Sequence, residues 1–313
     1  MALPVSLIID DGSPVNPMYR LDPLREYEML IPNDFTRAFA RACKRHGVKG
    51  KFSVMPMPSG LGRLDTKLSY VTQKHLRGFI RTVRDEIKPS FDITPELLTH
   101  QAAYDIKSGR LLHINEDEWV KQSLVEQIVD YISLAFRILR NVGLDAGGVT
   151  SPWATGRPVE EKYAEAIGRA FQRVHRKKFA WYFLHCLGKQ EPRWPWVTWK
   201  DAKSGITVAT VPALTGDAFW ATQDQPNRAA ARRYAMKNID SWLTADGRGG
   251  RLRELFDAGY PLVMVTHWQS LFSEGWGAGL EGLEEAFRRI RRTFGKNVEW
   301  VKLGEIAKSA LAK

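Results

Sequence analysis

The sequence predicts an α/β protein, an irregular (β/α) barrel of about seven parallel strands surrounded by helices. Three observations predict it. Short apolar segments without a helical period alternate along the whole chain with amphipathic segments that have one. The apolar segments are typical of strands buried on both faces, as in parallel sheets. Polar residues stand directly after several of them, where the mouth of a parallel barrel forms.

The strand-like segments are short and bounded by turn residues. In chain order they cover residues 5–10, 51–55, 91–93, 147–153, 179–185, 206–214, 261–268 and 298–303. The segment at 261–268 (PLVMVTHW) is the strongest of them. Because strands and helices alternate, we expect parallel pairing with right-handed crossovers.

The helix-like segments fall between these strands. They cover residues 33–47, 71–87, 115–143, 159–177, 228–243, 252–258 and 280–294, and a last short helix follows the final strand. Asn33 or Asp34 is expected to cap the first helix, with Gly47 just past its end, and Asn115 to cap the long helix. No repeat or linker divides the chain, so residues 1–313 are expected to form one barrel domain.

Composition narrows the class of protein. Hydrophobic residues make up 44% and charged residues 26% of the chain, which excludes a disordered chain, a collagen-like fibre and a coiled coil. Cys43 and Cys186 are the only cysteines, too few for a disulfide framework. The N-terminus has no basic leader, and no apolar run is long enough to span a membrane. We therefore expect a soluble protein of the cytoplasm.

The segment after the third strand carries a candidate metal motif. Thr94 and Pro95 are typical of a helix start, which would place Glu96 and His100 four residues apart on one helical face. A carboxylate and an imidazole at this spacing suit a divalent metal. Taken alone, a surface Glu–His pair explains the same pattern.

Two further strand ends carry polar residues. Asp10 and Asp11 end the first strand, and a turn at Gly12 can bring both carboxylates to the mouth. One could then bind a metal while the other acts as a base; an aspartate that caps a turn is the alternative. His267 follows five apolar residues, so it lies either at the mouth or in the core.

In order along the chain, IIDDG, GVKGKFSV, DITPELLTHQ, GGVTSPW, LVMVTHW and VEWVKLGEI resemble the motifs of the polysaccharide deacetylase family of carbohydrate esterases. The resemblance spans nearly the whole chain and implies the irregular barrel of that family. By position, it implies Asp10 as catalytic base, Asp11, Glu96 and His100 as metal ligands, and His267 as the acid that protonates the leaving amine. It thus implies metal-dependent hydrolysis of a linear amide, such as an N-acetyl group on an amino sugar.

Two positions depart from the family pattern. Glu96 stands where a metal histidine is usual, which shifts the preference from zinc toward harder ions such as manganese, cobalt or iron. Thr150 stands where an arginine normally orients the base aspartate. Arg20 or Arg63 from a neighbouring loop is a possible substitute.

Aromatic residues beside the mouth are candidates for substrate binding. Pro152, Trp153, Trp220 and Trp268 are predicted to line the groove, since aromatic faces stack on sugar rings. Most of the eleven tryptophans must nevertheless belong to the core. Without an export signal, the expected substrate is a small molecule or an oligosaccharide, and no membrane partner is expected.

Two other functions compete with hydrolysis. A barrel that has lost its metal would bind a carbohydrate or small ligand without catalysis. Nucleic-acid binding is suggested by the net charge of +11 and by the basic runs EEAFRRIRRTFGK and HRKKF. In the first run, however, apolar residues form a stripe and the arginines take the other face, as in a solvated outer helix. No nucleic-acid partner is therefore expected.

Overall fold

The computed structural model describes residues 2–20 and 28–312, and for residues 19 and 20 only the backbone. The strands within these residues are β1 (Leu3–Asp10), β2 (Gly50–Val54), β3 (Phe91–Pro95), β4 (Ala102–Asp105), β5 (Arg110–Asn115), β6 (Val149–Thr150), β7 (Phe179–Phe183), β8 (Trp196–Asp201), β9 (Ile206–Thr210), β10 (Leu262–His267) and β11 (Val298–Trp300). The α-helices are α1 (Asn33–His46), α2 (Gln73–Thr82), α3 (Glu116–Gln122), α4 (Val125–Asn141), α5 (Glu160–His175), α6 (Arg228–Asn238), α7 (Arg251–Asp257), α8 (Trp268–Phe272), α9 (Ala278–Phe294) and α10 (Leu303–Ala307). Among the described helices, none is both long enough and apolar enough to cross a bilayer.

The parallel strands form two sheets that meet at two joints. The first has the order β10-β1-β2-β3, with β11 also paired to β1, and the second has the order β6-β7-β9-β8, in which only β8 is antiparallel. A bridge between Glu96 and Thr150 joins β3 to β6. The N–H of Leu214, beyond β9, donates to the carbonyl of Val263 in β10 (2.8 Å). The seven parallel strands β10, β1, β2, β3, β6, β7 and β9 therefore surround the core, and the two sheets are connected by the two contacts given above. This arrangement confirms the predicted irregular barrel.

The core lies inside the ring and between the ring and its helices. The central strand β1 is fully buried from Val5 to Asp10, so its apolar residues face partners on both sides. Outside, α4 and α5 pack against each other. Each buries one apolar face against the sheet, as their sequence periodicity predicts. This rigid frame holds the carboxyl ends of β1, β3 and β10 close together.

The predicted helix start at Thr94 and Pro95 is wrong. Strand β3 continues through Pro95, because the N–H groups that follow find acceptors on neighbouring strands. Glu96 donates to the carbonyl of Val54 (3.3 Å), and Leu97 donates to that of Thr150 (3.2 Å). Leu97 and His100 adopt left-handed φ values of 41° and 64°, so the segment is a tight loop.

Other local differences have local causes. The long helix predicted at 115–143 is broken between α3 and α4, because the Ser123 hydroxyl and N–H both bond the carbonyl of Trp119 and end α3. Asn115 caps α3 as predicted, accepting from Glu118 N (2.9 Å). Pro32, and not Asn33 or Asp34, occupies the cap position of α1, while Gly47 ends that helix as predicted. The hairpin β4–β5 and the edge strand β8 were not predicted, since these strands are short and none of them is an apolar segment buried on both faces.

Candidate metal centre and active site

A cavity of about 190 Å³ opens at the carboxyl ends of β1, β3 and β10. Six of the polar residues that line it come from four separate segments of the chain: Asp10, Asp11, Glu96, His100, Asp217 and His267. The parallel barrel explains this convergence, because all of its strands end at the same face. Five of the six are the residues that the sequence analysis proposed as catalytic or metal-binding, and the structure brings these five together.

The turn after β1 aims both aspartates at the cavity. Asp10 is the last residue of the strand, and Asp11 takes a left-handed φ of 65°. Glycine is required next, since a Cβ on Gly12 would lie 2.0 Å from the carbonyl oxygen of Ser53. The N–H of Asp11 donates to Glu96 Oε2 (2.7 Å), which fixes the unusual backbone. The two carboxylates therefore face one cavity although the residues are adjacent in the sequence.

One atom of each proposed ligand is left for a metal. Glu96 Oε2 also accepts from the Ser53 hydroxyl (2.6 Å), and Asp11 Oδ2 accepts from Gln269 Nε2 (2.6 Å). The other oxygens, Asp11 Oδ1 and Glu96 Oε1, lie 2.9 and 3.5 Å from His100 Nε2. The ligand atoms of the three residues fall within 4.8 Å of one another. Hydrogen bonds that occupy the second oxygen and orient the first are typical of metal sites, so these residues fit a divalent cation.

A buried carboxylate holds the loop that carries His100. Glu116, the first residue of α3, accepts hydrogen bonds from the N–H groups of Leu98 (3.0 Å), Thr99 (2.8 Å) and His100 (2.9 Å). The Tyr131 hydroxyl donates to the same carboxylate (2.7 Å). The N–H of Glu116 itself donates to the carbonyl of Gln101 (2.9 Å), which closes the loop at its base. Glu116 thus replaces the helix that the sequence suggested as the support for His100.

The charges of the three ligand residues depend on each other. Burial raises the pKa of Glu96 to about 8, and the neighbouring charges of Asp11 and Asp10 act in the same direction. Burial acts on His100 in the opposite sense, but the Asp11 and Glu96 carboxylates outweigh it and raise the pKa of His100 to about 10. Burial also opposes ionisation of Asp11, yet His100 and His267 hold the pKa of this carboxyl well below its usual value. Two carboxylates and an imidazole are thus crowded together without solvent, and a bound cation would have to displace the protons of Glu96 and His100.

Lys51 is the partner of Asp10, and the sequence analysis missed it. Its ammonium group is completely buried, forms an ion pair with Asp10 Oδ1, and lies 5.1 Å from the centre of the Phe183 ring. Of the two arginines suggested for this role, Arg63 pairs with Asp65 instead, and the side chain of Arg20 is outside the described residues. Thr150, at the position of the family arginine, shares a hydrogen bond with the Thr94 hydroxyl (2.8 Å).

His267 forms the opposite side of the cavity. The ring Nδ1 of His267 lies 2.8 Å from Asp217 Oδ2, and the backbone N–H of His267 donates to the same oxygen (3.2 Å). Burial would lower the pKa of His267, but the hydrogen bond to Asp217 and the charge of Asp11 raise it to about 9. The imidazole is therefore protonated at neutral pH, with Nε2 available to a ligand. The sequence analysis missed Asp217, although it follows a predicted strand as the other site residues do.

Only two of the predicted aromatic residues reach the cavity. Trp153 is 50% exposed with its ring centre 4.9 Å from that of His100, and Trp220 is 42% exposed and stands edge-on to His267 at 4.6 Å. The prediction for Trp268 is wrong, because it is fully buried against Phe39 and Phe52 and its indole N–H donates to the carbonyl of Ser13. Pro152 is buried and is not among the residues that line the cavity.

Comparison of structures supports the fold, whereas comparison of sequences finds no relative. No protein-family model matches the sequence, and no curated protein matches it either. The probable polysaccharide deacetylase from Pseudomonas aeruginosa PAO1 is similar in structure, with a TM-score of 0.52 and 13% identity over 97% of this chain and 89% of that one. Its fold is thus shared by this chain, as the motif resemblance implied, at a sequence identity that is very low.

Two further structures are more distantly similar. The Xyl-CE4 domain of a multidomain xylanase from the hindgut metagenome of Trinervitermes trinervoides gives a TM-score of 0.45 at 10% identity, covering 99% of this chain and 91% of that one. A CE4 family pseudoenzyme from Bacillus anthracis gives a TM-score of 0.39 at 8% identity, covering 98% and 66%.

Proposed function

We propose that this protein is a metal-dependent hydrolase of a linear carbon–nitrogen bond, with an N-acetylated sugar or a related small amide as substrate. One observation carries the proposal. Asp11 Oδ1, Glu96 Oε1 and His100 Nε2 converge beside a base candidate, Asp10, and a protonated imidazole, His267. These are the groups that amide hydrolysis requires, and they share one small cavity.

Asp11, Glu96 and His100 would hold the cation. When bound, a divalent cation supplies Lewis acidity toward the carbonyl oxygen of the substrate. Two carboxylates and one imidazole favour ions that prefer oxygen ligands, such as manganese, cobalt or iron, over zinc. The buried hydrogen bonds to Asp11 and Glu96 hold these ligands in place before the cation arrives.

Asp10 and His267 would move the protons. Asp10, fixed by its ion pair with Lys51, takes a proton from the attacking water as the new carbon–oxygen bond forms. His267 gives its Nε2 proton to the nitrogen as the carbon–nitrogen bond breaks, and Asp217 holds the ring in the orientation that allows this. The products are a carboxylate and an amine. Lys51, on β2, would orient Asp10 in place of the arginine that polysaccharide deacetylases carry at the position of Thr150.

The cavity walls favour a compact substrate group. A volume of about 190 Å³ is below the range of roughly 300–1,000 Å³ usual for drug-sized ligands, so an acyl group enters with little more than the ring that carries it. Trp153 and Trp220 flank the opening with exposed indole faces on which a sugar ring could stack. We propose a small molecule or an oligosaccharide of the cytoplasm as the substrate.

Metal analysis combined with hydrolysis assays tests this function. Purified protein should contain close to one divalent ion per chain, and Asp11→Ala should remove it together with the release of acetate from N-acetylated chitooligosaccharides or small N-acyl amines. Asp10→Asn is the matched variant, because it should keep the ion and lose the hydrolysis, although the buried Lys51 ammonium loses its counter-charge and the variant should also be less stable. A protein that binds such sugars without metal or hydrolysis would instead be the non-catalytic barrel.

A further inference from the structure

The end of the barrel opposite the active site carries a second cavity, of about 620 Å³. It opens where β3 and β7 begin, at Asp92 and Phe179, and α10 closes one side through Gly304. Four lysines line it: Lys177, Lys178, Lys302 and Lys308. The first two belong to the basic run HRKKF, for which the proposed hydrolysis has no role.

Separate segments of the chain supply these lysines. Lys177 and Lys178 follow α5, Lys302 precedes α10, and Lys308 follows α10. Among the described residues, no carboxylate forms a salt bridge with any of the four; Lys302 donates instead to the carbonyl of Lys88 (3.0 Å). Lys177, Lys178 and Lys308 are exposed and Lys302 is half-buried, so solvent screens their mutual repulsion, but one anion in the cavity could contact several of them at once.

The two acidic residues of the cavity already have backbone partners. Asp92 accepts from the N–H of Gly304 (2.7 Å), and Glu305 accepts from the N–H of Lys302 (3.1 Å). Burial also raises the pKa of Asp92, which works against its negative charge. With four lysines against two carboxylates, the lining keeps a positive balance.

Aromatic residues form the rest of the wall. Phe171, Phe179 and Trp181 line the cavity beside the lysines. Gly304 lets the backbone approach closely, since a Cβ there would lie 2.9 Å from Asp92 Oδ2 and 3.0 Å from Trp181 Nε1. A volume of about 620 Å³ lies within the range of small-molecule sites, roughly 300–1,000 Å³. Positive charge next to aromatic surface suits a ligand that combines an anion with a ring.

Another basic cleft of the protein does not carry the same argument. Lys74, Arg77 and Arg81 line a groove beside α2, but they lie three and four residues apart on the exposed face of that one helix. Such spacing is what a solvated amphipathic helix shows without any ligand. The four lysines at the end of the barrel, by contrast, come from separate segments that the fold brings together.

We infer that the cavity lined by Lys177, Lys178, Lys302 and Lys308 binds a phosphorylated small molecule that carries a ring, at a site separate from the hydrolytic centre. The lysines would pair with the phosphate oxygens, and the aromatic wall would contact the ring.

Calorimetric titration of the full-length protein with ATP and with inorganic triphosphate, in 150 mM salt, tests this inference. The double variant Lys177→Gln/Lys308→Gln should raise the Kd for ATP about tenfold, a change of about 1.4 kcal/mol. The double variant Lys107→Gln/Lys237→Gln removes the same charge from two exposed lysines, in the turn of the β4–β5 hairpin and in α6, that do not line the cavity, and should change the Kd less than twofold. Inorganic triphosphate should bind more weakly than ATP.

Several results would overturn the inference. The absence of ATP binding, or an equal effect of the two double variants, would reduce the cavity to a source of general positive charge. Equal affinity for ATP and inorganic triphosphate would remove the role of the ring. Tighter binding of single-stranded RNA than of ATP would identify a nucleic-acid partner instead.

Discussion

The two sides of the active-site cavity are built differently. On the side of Asp11, Glu96 and His100, each residue is at most 6% exposed, and the second carboxylate oxygens are held by hydrogen bonds from the protein. On the other side, the His267 side chain is 26% exposed, and Asp217 is its one hydrogen-bonding partner within the part of the chain that the structure describes. The difference indicates which of the site residues need to be held rigidly. Under the proposed function, the residues that would converge on one ion are fixed by several hydrogen bonds, whereas the proposed acid, which would exchange protons with substrate and solvent, lies at the edge of the cavity.

Removing a ligand from the rigid side should have the largest effect. We expect Asp11→Ala to abolish stoichiometric metal binding and to lower kcat/KM by about three orders of magnitude or more, because the cation would lose a ligand and His100 would lose the carboxylate beside its Nε2. Metal content by mass spectrometry and acetate release measure the two effects. Asp34→Ala, at an exposed carboxylate of α1, is the control. Full metal content in the Asp11 variant would contradict the assignment.

Lys51→Met should come next. It leaves Asp10 buried without its counter-charge, which should lower the free energy of unfolding by about 3–5 kcal/mol and reduce activity as well. Chemical denaturation measures the loss, and Lys44→Met, at an exposed lysine of α1, should be near neutral. The double variant Lys51→Met/Asp10→Asn should be more stable than the sum of the single variants predicts. Additive losses would show that the ion pair has no special role.

On the exposed side, Asp217→Asn should change the pH dependence more than the maximum rate. His267 is active when protonated, so kcat/KM should be full at neutral pH and fall as the pH rises through about 9. Without the Asp217 carboxylate, the pKa of His267 should drop, and the alkaline limb should move down by about one pH unit or more. A pH–rate profile with an unchanged alkaline limb would rule out this acid.

The tryptophans should show the smallest effects on catalysis. Trp153→Ala and Trp220→Ala should each raise KM about three- to tenfold, equivalent to about 0.5–1.5 kcal/mol of lost ring contact, with little loss of stability. Trp268→Ala should instead lower the free energy of unfolding by about 3–5 kcal/mol, since it empties part of the core. Steady-state kinetics and thermal unfolding separate the two kinds of tryptophan.

The sequence predicted the strand ends well, because an apolar strand followed by a polar residue is a local pattern. Asp10, Asp11 and His267 all come from such ends. The route of the chain between strands was harder to predict. Thr94 and Pro95 favour a helix locally. The N–H groups of Glu96 and Leu97 instead donate to carbonyl groups of β2 and β6, and these tertiary hydrogen bonds replace the helical ones.

The missed residues act through long-range contacts. Glu116 meets His100 across a hairpin, and Asp217 meets His267 from fifty positions away. For Lys51, the sequence contains a pattern that could have predicted its position. It alternates with Ser53 on a strand whose other residues are apolar, so both polar side chains point to the same, inner face of the barrel.

The contact between Glu116 and Gln101 has a consequence for how the protein can vary. After Gln101 the chain leaves the loop that carries Glu96 and His100 and forms the hairpin β4–β5. It returns at Glu116, whose N–H donates to the carbonyl of Gln101. The first residues of this insert still support the site, since the N–H of Tyr104 donates to the Tyr131 hydroxyl that in turn bonds Glu116. The exposed turn beyond them, at residues 106–110, could therefore change in length or sequence and alter the outer rim of the cavity without moving these contacts.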